Sequence, residues 1–179
     1  MAITEMTGTS TMRDILEAYP GAQRALMRRY HIGGCSSCGF APDDRLGDVL
    51  AKRSVLNIAE VIEHIQTSHE QEQRIQMSPQ ELAEALKSPT PPRLIDIRES
   101  DEQAIAKIEG ALPAMDERVQ EMMARGPKDT PIVVHCHHGV RSLDAASHLI
   151  GHGFTNVRSL RGGIDAWAEQ IDRSVVRYE

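Results

Sequence analysis

A chain of 179 residues has room for one ordinary domain or two small ones, and a hydrophobic content of 40% suits a globular fold. The charge sum, 20 − 26 = −6, argues against a general nucleic-acid binder, which would carry a basic excess. No apolar run is long enough to span a membrane, and the N-terminus lacks the basic, apolar, small-residue order of an export signal, so the expectation is a cytoplasmic chain with no membrane partner. One Trp, three Tyr and two Phe leave the cores to aliphatic side chains and eight Met. Three cysteines cannot all pair, which directs attention to metal or redox chemistry.

The first ten residues are small and polar, and a frayed end is expected there. From Thr11 to about Glu72 the pattern is helical only. Thr11 caps a first helix with Asp14 in its first turn. Pro20 suits the first turn of a second helix, whose Ala22, Ala25, Leu26 and Tyr30 share a face and which Gly33-Gly34 stops. Asp43 or Asp44 opens a third helix bearing Leu46, Val49 and Leu50. Asn57 opens a fourth bearing Ile58, Val61, Ile62 and Ile65. Thr67 to Arg74 holds no apolar residue and reads as a solvated helix tail or a linker. The domain boundary falls there, giving a small all-α domain over 1–72 and a second domain over 75–179.

The second half alternates strand and helix. Ile75 and Met77 suit a short edge strand, and Ser78-Pro79-Gln80-Glu81 is a helix start with cap, proline and answering glutamate. Arg93–Ile97 reads as a buried strand, Asp116–Arg125 as a helix with Val119, Met122 and Met123 inward, and Pro131–His135 as a stronger strand. Gly139–Gly151 is a helix carrying Leu143, Ala146, Leu149 and Ile150. Asn156–Leu160 is a last strand, and Ile164–Ile171 a last helix with Trp167 on its apolar side. This spacing implies βαβ units, and hence an α/β fold with a parallel sheet flanked by helices.

The constellation richest in chemistry is PIVVHCHHGVRS, Pro131 to Ser142. It places Cys136 at the carboxyl end of a buried strand, then a short loop with Gly139, then a helix, and ligands bind open α/β sheets at such ends. A loop turning into a helix aims successive backbone N–H groups inward, and Arg141, five positions on, adds positive charge at the rim. Both favour a thiolate, the form of cysteine that attacks. His137 and His138 are either exposed loop residues or acid–base groups. Asp96 and Arg98 read as a strand-end ion pair, and Gly162-Gly163 as a positive-φ turn before the last helix.

The segments LIDIRE (Leu94–Glu99), IEGAL (Ile108–Leu112), CHHGVRS (Cys136–Ser142) and GGIDAW (Gly162–Trp167) together resemble a single-domain rhodanese, a thiosulfate-type sulfurtransferase. The ending IDRSVVRY (Ile171–Tyr178) is similar to the tail of rhodanese domains fused to other proteins. The resemblance implies a rhodanese-like fold in which Cys136 carries a persulfide held by the amides of His137, His138, Gly139, Val140, Arg141 and Ser142. It implies that Arg141 assists an anionic donor, and that thiosulfate or another sulfane-sulfur compound gives sulfur to a thiol or protein acceptor without a cofactor. Related phosphatases and arsenate reductases enclose five residues between cysteine and arginine; here Cys136 and Arg141 enclose four, a cradle that suits one added sulfur better than a phosphate. Lys107 departs from the family, which usually has histidine near this place; a change in solubility or partner contacts is expected.

Cys35 and Cys38 form a C-x-x-C pair, followed by Gly39-Phe40-Ala41-Pro42. Two cysteines on a turn share a metal or close a disulfide. As a zinc site this is half a set, with His31 near enough in sequence to contribute. No strand precedes the motif, so a thioredoxin-like reading fails. The pattern ILEAYP…GCSSCGFAPDD resembles a small helical domain of unknown function found beside hybrid-cluster and iron–sulfur repair proteins. A structural loop, a redox or persulfide-relay pair, and metal or iron–sulfur ligation at Cys35 and Cys38 all stay open. A metal- or iron–sulfur-linked sensor, with the rhodanese half as its docking module, is the alternative to sulfur transfer.

Overall fold

The computed structural model describes residues 5–33, 39–55 and 57–178. The chain divides into two compact units, Met1–Arg74 and Ile75–Glu179.

The first unit is helical among its described residues: α1 (Met12–Ala18), α2 (Ala22–Tyr30), α3 (Leu46–Ala51) and α4 (Ile58–Ile75). Thr11 caps α1, its Oγ1 accepting the Asp14 N–H at 3.2 Å. Pro20 does not open α2. The Ala22 N–H donates to the Tyr19 carbonyl at 2.8 Å, which places Pro20 inside a tight turn, and Gly21 is the N-cap. The stop of α2 also comes before Gly33: His31 takes a left-handed conformation (φ 56°), and its N–H caps the Leu26 and Met27 carbonyls. Nor do Asp43 and Asp44 open α3, whose N-cap is Arg45; the Asp44 carboxylate instead accepts the Ala41 N–H and closes the preceding turn. Helix α4 continues through Thr67–Arg74, where buried Glu72 bonds Arg24 at 2.8 Å. Met12, Ile15, Leu26, Ile32, Leu46, Leu50, Val61 and Ile65 form the aliphatic core.

The second unit is an α/β fold. Its elements are β1 (Gln76–Met77), α5 (Pro79–Leu86), β2 (Arg93–Asp96), α6 (Ser100–Ile105), β3 (Leu112–Pro113), α7 (Glu117–Arg125), β4 (Ile132–His135), α8 (Val140–Gly151), β5 (Val157–Leu160) and α9 (Gly163–Gln170). All strand pairs are parallel, in the order β1-β5-β4-β2-β3. Strand β4 is central and buried throughout, which is why Ile-Val-Val-His shows no polar alternation. Its side chains still divide by face. Val133 packs with Leu94, Leu160, Ile164 and Trp167, while Ile132 and Val134 pack with Ile95, Val119, Ala146 and Val157. Each face is closed by helices, as parallel sheets require.

At Ser78 the hydroxyl accepts the Glu81 N–H while the Glu81 carboxylate accepts the Ser78 N–H, fixing the start of α5. Helix α6 departs from the alternation read in the sequence, whereas the IEGAL segment is read there as a strand-entry turn and is one. Helix α6 follows β2, opened by Glu99 with Glu102 in a capping box, and the IEGAL segment leads through a turn at Gly110 into β3. Ile150 is 39% exposed, outside the apolar face of α8. Lys107 is exposed. Among the described residues no helix is long and apolar enough to cross a membrane.

Candidate active site

Strand β4 ends at His135 and delivers Cys136, 1% exposed, to the carboxyl edge of the sheet. The chain then turns through Gly139 (φ 86°) into α8. The turn aims main-chain donors at the sulfur: the Gly139 N–H points to Sγ at 3.2 Å and the Ser142 N–H at 3.4 Å, with the Ser142 hydroxyl 3.5 Å away. Ser142 is held by the buried Ser159 hydroxyl of β5 at 2.9 Å. Converging main-chain N–H groups suit an anionic atom, and here they are those of Gly139 and Ser142, while the Cys136 thiol donates to the Ser142 oxygen.

For the amides to face inward, the loop carbonyls must face elsewhere and find partners there. The start of α9 supplies them. The Ile164 N–H donates to the Cys136 carbonyl at 2.9 Å and the Asp165 N–H to the His137 carbonyl at 3.2 Å. This contact explains Gly163 (φ 60°), whereas Gly162 (φ 71°) is the left-handed N-cap of α9, where a β-carbon would meet Ala166. A β-carbon on Gly163 would overlap the carbonyls of both Cys136 and His137, so the second glycine lets α9 approach the loop.

Arg141 lies at the rim, 46% exposed, with its two terminal nitrogens donating to Glu102 of α6 at 2.6 and 2.8 Å. This bidentate bond holds the Glu102 carboxyl down at about 2 in spite of partial burial. The same bond raises the Arg141 guanidinium above its usual range. Glu102 also accepts the Glu99 N–H at 3.0 Å and lies 3.4 Å from the Tyr178 hydroxyl.

Behind the rim, Asp96 and Arg98 form the strand-end ion pair, at 2.6 Å and buried. Arg98 also donates to the carbonyls of Glu102 and Ala106, at 3.1 and 2.8 Å, and to the Tyr178 hydroxyl at 2.6 Å. Burial works against its charge, but the Asp96 and Tyr178 bonds outweigh it and raise its proton affinity. Tyr178 stacks on His137 at 4.1 Å between ring centres, and His137 on His138 at 3.8 Å. His137 is buried and His138 exposed; burial, with His138 beside it, lowers the His137 pKa and favours the neutral ring. His135 is fully buried, with neither ring nitrogen hydrogen-bonded, and burial lowers its pKa to about 4.

Of the predicted loop residues, the structure brings the Gly139 and Ser142 amides and the Ser142 hydroxyl to Sγ, while His137 and His138 stack with Tyr178 and Arg141 is bound to Glu102 at the rim. Val140 is exposed at the mouth. Sequence reasoning missed Glu102, Ser159 and Tyr178. The acidic run from Glu99 to Glu102 is a helix-start signal that could have exposed α6 and with it Glu102. Cys35 and Cys38 lie outside the described residues. Among the described residues no cluster of three His, Cys, Asp or Glu side chains could hold a metal ion.

A parallel α/β sheet whose central strand presents a buried cysteine to a cradle of main-chain amides defines a cysteine-loop domain of the α/β class. The family model for the Rhodanese-like domain matches residues 78–170, just over half the chain. The chain belongs to the rhodanese-like family. It is 36% identical over 77 residues to the thiosulfate sulfurtransferase GlpE of Shewanella oneidensis, covering 43% of this chain and 76% of that protein. It is 36% identical over 104 residues to the probable adenylyltransferase/sulfurtransferase MoeZ of Mycobacterium tuberculosis, covering 57% of this chain and only 26% of that protein. Among solved structures, the reduced Bacillus anthracis CoADR-RHD aligns with a TM-score of 0.50 at 18% identity, over 90% of this chain and 27% of that one, a likeness of fold alone.

Proposed function

We propose that the chain is a sulfurtransferase that carries sulfane sulfur on Cys136. The Cys136 thiolate attacks the outer sulfur of thiosulfate or a similar donor. The Sγ–S bond forms as the donor's S–S bond breaks, and sulfite leaves with the bonding pair. A thiolate acceptor then attacks the outer sulfur of the enzyme persulfide, takes it, and returns Cys136 as thiolate. The observation that carries this reading is the pair of amides converging on Sγ within 3.4 Å, in a loop enclosing four residues between Cys136 and Arg141. The relatives named as sulfurtransferases point the same way.

The test is intact-mass analysis of the freshly reduced protein before and after thiosulfate, beside Cys136→Ser. The wild type should gain one sulfur atom that cyanide removes, and the variant none. No gain from any sulfane donor would overturn the reading. Cys35 and Cys38 are the proposed first acceptor, because one chain then joins a sulfur-loading loop to a dithiol. Their double substitution should slow turnover with thiol acceptors. Unchanged turnover would end the relay, and iron or zinc lost with the same substitution would assign the pair to metal instead.

A further inference from the structure

The inner wall of the site is built for an anionic sulfur, but its mouth carries little free positive charge. Both terminal nitrogens of Arg141 are bound to Glu102, so the guanidinium is matched by a full negative charge before any donor arrives. Glu102 is not a loose counter-ion: its side chain is 19% exposed, and the Glu99 N–H holds it at 3.0 Å. The other ion pair bordering the loop is also matched internally, Arg177 with Asp165 at 2.6 Å. Beside exposed His138 and the paired Arg141, three apolar side chains stand out into solvent at this end of the unit. Val140, inside the loop, is 57% exposed. Ile105, one turn beyond Glu102 on α6, is 51% exposed, and Met115, just past β3 at the same end of the sheet, 83%.

From this pairing we infer the donor class: the site takes its sulfur from the persulfide or polysulfide of an organic thiol in preference to thiosulfate. The inference rests on the sulfurtransferase reading and narrows its substrate. Thiosulfate is a dianion, and a sulfonate drawn to the remaining N–H groups of Arg141 would lie close to the Glu102 carboxylate already bound there, a like-charge approach in a partly desolvated mouth. An organic persulfide R–S–S–H brings at most one charge on the transferring sulfur, which the amide cradle receives. Its carbon-bearing half is left at the apolar rim. In the step, the Cys136 thiolate attacks the outer sulfur, the Sγ–S bond forms, the donor S–S bond breaks, and R–S⁻ leaves. The proton of the outer sulfur passes to R–S⁻, giving R–SH and an anionic enzyme persulfide. One sulfane sulfur moves between two thiols, so no outside oxidant or reductant takes part. Glu102 stays ionised across any ordinary assay range, since Arg141 holds its carboxyl near 2.

The experiment compares kcat/KM for the persulfide of 2-mercaptoethanol, whose carbon half is uncharged, and for thiosulfate in wild type, Glu102→Gln and Glu102→Asp, with cyanide as common acceptor and the uncatalysed reaction subtracted. Wild type should favour the persulfide. Glu102→Gln unmasks Arg141 and should shift the ratio toward thiosulfate by about tenfold, the order expected for removing one like charge from a partly solvated site, chiefly through a lower KM for thiosulfate. Glu102→Asp keeps the charge and should leave the ratio near wild type, which separates charge from general damage to the loop. A wild type that prefers thiosulfate overturns the inference, as does a Glu102→Gln enzyme that loses both donors in equal proportion. If neither donor adds sulfur to Cys136 by intact mass, the sulfurtransferase reading itself fails and the donor preference falls with it.

Discussion

Asp96→Asn removes one charge from the buried pair behind the loop. Arg98 is fully buried at its side chain and Asp96 nearly so, and the two are joined by two hydrogen bonds, at 3.0 and 2.6 Å. Breaking a buried pair from one side typically costs about 3–5 kcal/mol, because the remaining charge is stranded away from water. Here Arg98 keeps the carbonyls of Glu102 and Ala106 and the Tyr178 hydroxyl, so the low end, about 3 kcal/mol, is expected. Trp167 is the chain's single Trp and lies 7% exposed in the core of the α/β unit, so its fluorescence reports on that unit. With a urea slope of about 1.5 kcal/mol per molar, the midpoint should fall by about 2 M at unchanged slope. The double variant Asp96→Asn/Arg98→Met should lose less than the sum of the single losses, since it strands no charge. A loss below about 1 kcal/mol in Asp96→Asn, or full additivity in the double variant, would refute the reasoning.

Gly163→Ala forces a β-carbon against the Cys136 and His137 carbonyls at φ 60°; it should cost at least about 1–2 kcal/mol from the backbone alone and abolish sulfur loading measured by mass. For Glu102 the folded-state pKa, about 2, is depressed, so its stabilisation is present above the ordinary value of 4.5 and lost as the pH falls toward 2; Arg141→Gln should flatten this part of an acid-unfolding curve. His135 is held neutral by burial, with a pKa of about 4, while the unfolded chain takes up a proton from 6.5 downward. Stability therefore falls on acidification between those values, and a His135→Leu variant should lack that component in the same titration. Ser159→Ala leaves the buried Ser142 hydroxyl without its 2.9 Å partner, and a destabilisation of about 1–3 kcal/mol should appear in the Trp167-monitored urea transition.

How much of this could be read from the chain follows the sequence distance of each contact. The start of α5 is written within four residues, because Ser78, Pro79 and Glu81 each answer a requirement of a helix N-terminus. The unbroken apolar run of β4 and the glycine after Cys136 are equally local, and they were enough to place a cysteine loop at the carboxyl end of a buried strand. Helix starts in the first unit were less legible. Pro20 and Asp44 are good helix-start residues by type, yet both close turns, and the backbone bonds that decide this involve residues on either side of them. The partners of the loop were not legible. Arg141 and Glu102 are 39 residues apart, Ser142 and Ser159 17, Arg98 and Tyr178 80. Their meeting depends on the strand order, which puts β2 and β5 on either side of β4. No periodicity in a single segment carries that information.

The strand order also explains why the site draws on so much of the unit. A thiolate cradle needs its amides turned inward, which turns the carbonyls of the same residues outward into a buried layer where they require donors. The first turn of a helix is the one place where several unpaired N–H groups lie together, and α9 brings that turn against the Cys136 and His137 carbonyls. This is possible because β5, which feeds α9, neighbours β4, and because Gly163 allows the close approach. On the opposite flank β2 ends in the Asp96–Arg98 pair, which anchors Tyr178 and the carbonyl of Glu102, while the Glu102 carboxylate fixes Arg141. The loop therefore has its charge preference set from below by α8, its carbonyls satisfied by α9, and its rim charge set by α6. A substitution at the rim can change which donor is accepted while the inner cradle stays intact, whereas one at the α9 contact changes the cradle itself. Under the proposed sulfur transfer, that separation should make donor preference and sulfur loading independently measurable.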